Sequence, residues 1–79
     1  MTITLTPADF DSEHKITYTH ACEIAGAPGP QCYGNKTCTV YCGQTAYYIQ
    51  GVPNDCTCVQ GGVNCPEPCH DIHINCNQS

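Results

Sequence analysis

Arginine and tryptophan are absent from this chain, lysine occurs twice, and Leu, Phe and Met together number three. Two basic side chains cannot form the cluster that holds a phosphate backbone or an anionic membrane surface, so nucleic acid and membrane are excluded as expected partners. The same shortage argues against a pore-blocking toxin or a cationic antimicrobial peptide. With so few large apolar side chains, 79 residues cannot be held together by a core alone. No apolar run is long enough to cross a membrane, and no helical period survives for two turns. Residues 1–10 lack the basic region, apolar stretch and cleavage site of a signal peptide, so the expectation is a mature secreted chain with an added initiator Met. Catalysis has little raw material. Ser12 and Ser79 lie in terminal segments, the carboxylates cluster only near the N-terminus, and a Cys nucleophile would need a lowered pKa beside a base. The chain is therefore read as no enzyme and as needing no cofactor.

What it has instead is cysteine: nine, at Cys22, Cys32, Cys38, Cys42, Cys56, Cys58, Cys65, Cys69 and Cys76. Four bridges at about 3 kcal/mol each would outweigh the net stability of a typical small domain. Such usage belongs to an oxidising compartment, and the sequon Asn35-Lys36-Thr37 agrees with a secreted, extracellular protein glycosylated at Asn35. An odd count leaves one cysteine unpaired; the protein is expected to be monomeric, although that thiol would allow a disulfide-linked dimer. Nine cysteines with one left over permit about 945 pairings, so connectivity is open. Zinc is the competing use, because Cys69, His70, His73 and Cys76 put four donors in eight residues. Structural zinc sites draw on two separated pairs, however, and an extended tail turns His70 and His73 opposite ways. No metal is expected.

Taken in order, residues 1–14 read as a flexible acidic arm with Asp9, Asp11 and Glu13 around Phe10, and residues 15–79 as a single disulfide-rich domain. Lys15 to Ala21 alternates, with Ile16, Tyr18 and His20 on one face, and predicts a first strand. Ala25 to Pro30 is a loop. In the run from Cys32 to Cys42, Cys38, Val40 and Cys42 share one face, which lets two cysteines on one strand bridge to two different neighbours. Gly43-Gln44 turns the chain into Thr45–Gln50, the antiparallel partner, and residues 51–55 turn it again. Residues 56–69 form a hairpin about Gly61-Gly62, whose adjacent glycines supply positive φ and place Cys58 roughly opposite Cys65. Pro66 and Pro68 stop the ladder. His70 to Cys76 alternates again as a last short strand, and residues 77–79 are expected to be loose. The fold class expected is small, disulfide-rich and mainly β, with short antiparallel strands and no substantial helix.

The order Cys56-Thr57-Cys58, then Gly62-Val63, Cys65 and Cys69 beside Pro66 and Pro68, resembles the first subdomain of von Willebrand factor type C domains. The likeness covers residues 56–69; the family's Trp and adjacent Cys-Cys pair have no counterpart here. It implies a Cys56–Cys65 bridge and one from Cys58 to an upstream cysteine such as Cys42. Cys38-Thr-Val-Tyr-Cys42 followed by Gly51-Val-Pro-Asn-Asp-Cys56 is also similar to tick salivary families. Together with the hairpin, it resembles the salivary complement inhibitors called CirpT. That resemblance implies immune evasion by binding the fifth complement component and blocking its activation.

The net charge of −5 suits a partner with a basic face. A chemokine or growth-factor trap fits the same charge. A serine protease inhibitor is the third reading, with Lys36 as its trypsin-type residue. Contacts are expected on cross-linked segments carrying large or charged groups: Tyr47, Tyr48 and Ile49; Glu67; and His70, Asp71, Ile72 and His73, with Phe10 as an anchor on the arm.

Overall fold

The structure, a computed structural model, describes residues 2–26 and 32–77. Among the described residues, strands β1 (Thr2–Leu5), β2 (Lys15–Thr17), β3 (Lys36–Cys42), β4 (Thr45–Val52), β5 (Thr57–Val59), β6 (Gly62–Asn64) and β7 (Asp71–Ile74) form two sheets, with one α-helix, α1 (Tyr18–Ile24), between β2 and β3. One sheet has the order β1-β7-β6-β5 and the other β2-β4-β3. The mainly β, disulfide-rich class is the one read from the sequence.

The hairpin of β3 and β4 is antiparallel across Gly43-Gln44, with Cys38 and Val40 buried and Thr37, Thr39 and Tyr41 outward. Four bridges brace the fold: Cys38–Cys58 and Cys42–Cys76 tie β3 to the four-stranded sheet and its end, Cys32–Cys69 joins the segments before β3 and β7, and Cys56–Cys65 closes the β5–β6 hairpin. The two cysteines of β3 do reach different neighbours. Cys58 is bonded upstream, to Cys38 rather than Cys42.

Three local expectations need correction. The first strand ends at Thr17, whose Oγ1 accepts from the His20 N–H at 3.0 Å and caps a helix. Tyr18, Ala21 and Cys22, spaced by three and four, then face the core. Gly26, at φ +69°, closes this helix; residues 27–30, the rest of the expected loop, and Gln31 lie outside the described residues.

Residues 1–14 are no free arm. β1 pairs in parallel with β7, and Ile3, Leu5 and Phe10 are buried. The hairpin register also differs: Cys58 opposes Val63, and only Gly61 takes positive φ. Gly62 is glycine for another reason, because a Cβ there would collide with the Ile72 carbonyl on the neighbouring strand. Met1, Gln78 and Ser79 lie outside the described residues.

Candidate binding cleft

Two short sequences with one pattern, Pro53-Asn-Asp-Cys56 and Pro66-Glu-Pro-Cys69, fold into facing turns. The Cys56 N–H donates to the Pro53 carbonyl at 3.0 Å, and the Cys69 N–H to the Pro66 carbonyl at 2.9 Å. Each turn ends on a bridged cysteine, Cys56 to Cys65 and Cys69 to Cys32. Between them lies a cleft of about 430 Å³ lined by Tyr33, Asn54, Asp55, Glu67 and the three prolines, with Cys32 and Cys69 also in its wall. Gly34 holds the Tyr33 side in place: its N–H donates to the Gly51 carbonyl at 3.0 Å, and a Cβ would come within 2.8 Å of the Pro53 Cα. Tyr33 is 69 % exposed. Among the described residues, neither Asp55 nor Glu67 enters an ion pair.

A second cleft, of about 400 Å³, is lined by Asp9, Phe10, Asp11, Lys15, Ile16, Thr17, His20 and Gln50. Its acids are occupied locally. Asp9 Oδ2 accepts from the Thr6 N–H at 2.8 Å, and Asp11 Oδ1 accepts from the N–H groups of Glu13 at 2.8 Å and Lys15 at 2.9 Å. The bond from the Lys15 backbone, foremost, holds the Asp11 carboxyl below its ordinary value against a smaller opposing effect of desolvation. Lys15 adds positive charge to the same cleft. The proline-turn cleft is the better binding candidate, because its carboxylates have no competing employment.

Of the expected contact residues, Glu67 is exposed and lines this cleft. Tyr48 is half-buried on the outward side of β4, opposite Thr39 and Lys15, and His73 is exposed on β7. Four others are corrected to core residues. Tyr47 lies edge-on to Phe10 at 4.9 Å between ring centres, with both buried, and Ile49 and Ile72 are fully buried. Strand alternation explains this, since Tyr47 and Ile49 must share the face opposite Tyr48. His70 and Asp71 are half-buried and act in the scaffold: the His70 backbone is bonded to the Tyr18 hydroxyl, and Asp71 Oδ1 accepts from the Cys65 N–H at 2.7 Å. The structure therefore does not gather the expected contacts into one patch. It adds Tyr33 and Asp55, which the sequence reading did not select. The repeated Pro-x-x-Cys pattern with an acid inside was the available signal.

Among the described residues, no group of three or more His, Cys, Asp or Glu is placed to hold a metal ion. Cys69 and Cys76 are both bridged, which removes the thiolates of the zinc alternative. The unpaired cysteine is Cys22, only 3 % exposed, and burial pushes its thiol pKa up. A disulfide-linked dimer through Cys22 is thus disfavoured in the folded state. Asn35 is exposed, as a glycan acceptor must be. Comparison with family models, curated proteins and solved structures finds no match for this chain.

Proposed function

We propose that this chain is a secreted, non-catalytic binding module that covers a basic face of an extracellular host protein, with the fifth complement component as the partner to test first. The carrying observation is the proline-turn cleft, where Asp55 and Glu67 have no ion-pair partner among the described residues and stand on turns closed by disulfides. Rigid turns lose little conformational freedom on binding, so more of each contact is retained as affinity. Four bridges and an exposed sequon support the extracellular setting. The choice of complement over other basic-faced proteins rests on the CirpT resemblance. A chemokine or growth-factor trap would use the same cleft and charge.

The test is capture from plasma on the immobilised oxidised protein, followed by mass spectrometry and by surface binding of the purified fifth component. Saturable binding of that component, with loss of complement-driven haemolysis, is the expected result. Recovery of chemokines or growth factors without complement would replace the inhibitor reading with the trap.

A further inference from the structure

We infer that the cleft between the two proline turns receives a single lysine or arginine side chain from an extended segment of the partner. This rests on the binding role proposed above and names the chemistry that enters. Asp55 stands in one turn and Glu67 in the other, so carboxylates line the cleft from two walls. Among the described residues no cation pairs with either carboxylate. Lys15 sits 3.6 Å from Glu13, Lys36 Nζ donates to the Cys56 carbonyl at 2.7 Å, and there is no arginine. The remaining walls suit the stem of such a side chain: Pro66 and Pro68 offer exposed apolar surface to its methylenes, with Pro53 buried behind them, and the exposed ring of Tyr33 offers a π face to its charge. About 430 Å³ is room for one long side chain and its flanking backbone, not for a folded element. A bare metal ion fits less well. Calcium needs six or more oxygens, and walls of proline and tyrosine do not supply them.

Terminally blocked pentapeptides, Gly-Gly-Arg-Gly-Gly and Gly-Gly-Lys-Gly-Gly, titrated into isotope-labelled oxidised protein provide the test, with a citrulline peptide as the neutral counterpart. Saturable amide shifts are expected at Tyr33, Asp55, Cys56, Glu67 and Cys69 with at least one basic peptide, and none with citrulline. Asp55→Asn and Glu67→Gln should each weaken binding about two- to fivefold, as exposed charge pairs do. Glu13→Gln, outside the cleft, should leave it unchanged. Absence of saturation with both basic peptides, or an equal response to citrulline or in the double variant that carries both Asp55→Asn and Glu67→Gln, overturns the inference. Failure of the parent reading is distinguishable. If the fifth component binds wild type and double variant alike, the functional reading stands and the cleft does not. If a basic peptide seats in the cleft while plasma yields no partner, the chemistry stands and the functional reading falls.

Discussion

The Tyr18 hydroxyl and the backbone of His70 satisfy one another: the hydroxyl donates to the His70 carbonyl at 2.7 Å and accepts from the His70 N–H at 2.8 Å. This pair fastens α1 to the start of β7 from a side chain that is fully buried. Tyr18→Phe would keep the ring's packing and leave two backbone groups unpaired. A loss of about 1–3 kcal/mol is expected in denaturant unfolding with the bridges intact. A midpoint equal to wild type would mean that water replaces the hydroxyl.

Gly61 and Gly62 are adjacent and should respond very differently to alanine. Gly61 has positive φ and open space around it, so Gly61→Ala should cost about 1–2 kcal/mol from backbone strain alone. At Gly62 the obstacle is the Ile72 backbone, which cannot withdraw without breaking the pairing of β6 with β7. Gly62→Ala should cost about 3 kcal/mol or more and expose the amides of β7 to exchange. Equal costs at the two positions would contradict the register.

These two glycines show what the sequence could and could not disclose. The turn was legible because Gly-Gly between two short runs of Thr, Val and Cys is a local signal, but the close approach of Gly62 to β7 depends on a strand that arrives later. The β3–β4 hairpin was legible for the same local reason, with Gly43-Gln44 dividing two alternating runs. The helix was not, because Ile16, Tyr18 and His20 alternate just as Tyr18, Ala21 and Cys22 step by three and four. Seven residues give a helical period no room to separate from an alternating one. β1 was missed because its partner is the last strand, and parallel pairing of two chain ends leaves no local trace. In the candidate site, Glu67 could be read from its braced loop. Tyr33 and Asp55 join it only through the fold and the Cys32–Cys69 bridge, one pairing among hundreds.

Cys22 should behave as a core residue rather than a reactive thiol. Its burial and raised pKa both suppress the thiolate that reacts. Native protein should resist a thiol-labelling reagent, while denaturant without reductant should release one labelled site per chain. Sedimentation should show no reducible dimer. Rapid labelling of the native protein would place Cys22 outside the core.

Asp11 gives the stability a defined pH dependence. Its folded pKa lies below the ordinary 3.8, chiefly because it accepts the Lys15 backbone bond. A depressed carboxyl pKa contributes stability that is present above the unfolded value and disappears as pH falls through the folded one. Relative to Asp11→Asn, wild type should therefore be favoured near neutral pH and lose that advantage below about pH 4. Urea midpoints of the two proteins across this range provide the comparison. A difference independent of pH would show that the carboxylate charge does not matter there.

Lys36 decides the protease-inhibitor alternative. An inhibitor of trypsin must offer a basic side chain to the enzyme from an exposed, braced loop, and Lys36 is the candidate the sequence provides. In the structure this lysine is half-buried, and its ammonium donates to the Cys56 carbonyl at 2.7 Å, inside the protein's own scaffold. Presenting it to a protease would require breaking that bond and leaving the carbonyl unpaired. Wild-type protein in molar excess should thus leave trypsin fully active. Lys36→Met, which keeps the stem and removes the charged head, should cost about 1–3 kcal/mol of stability through the lost charge-assisted bond. Its binding to a plasma partner should be unchanged once the variant is folded. Stoichiometric inhibition of trypsin by wild type, abolished by Lys36→Met, would reverse this assignment and make Lys36 the contact residue.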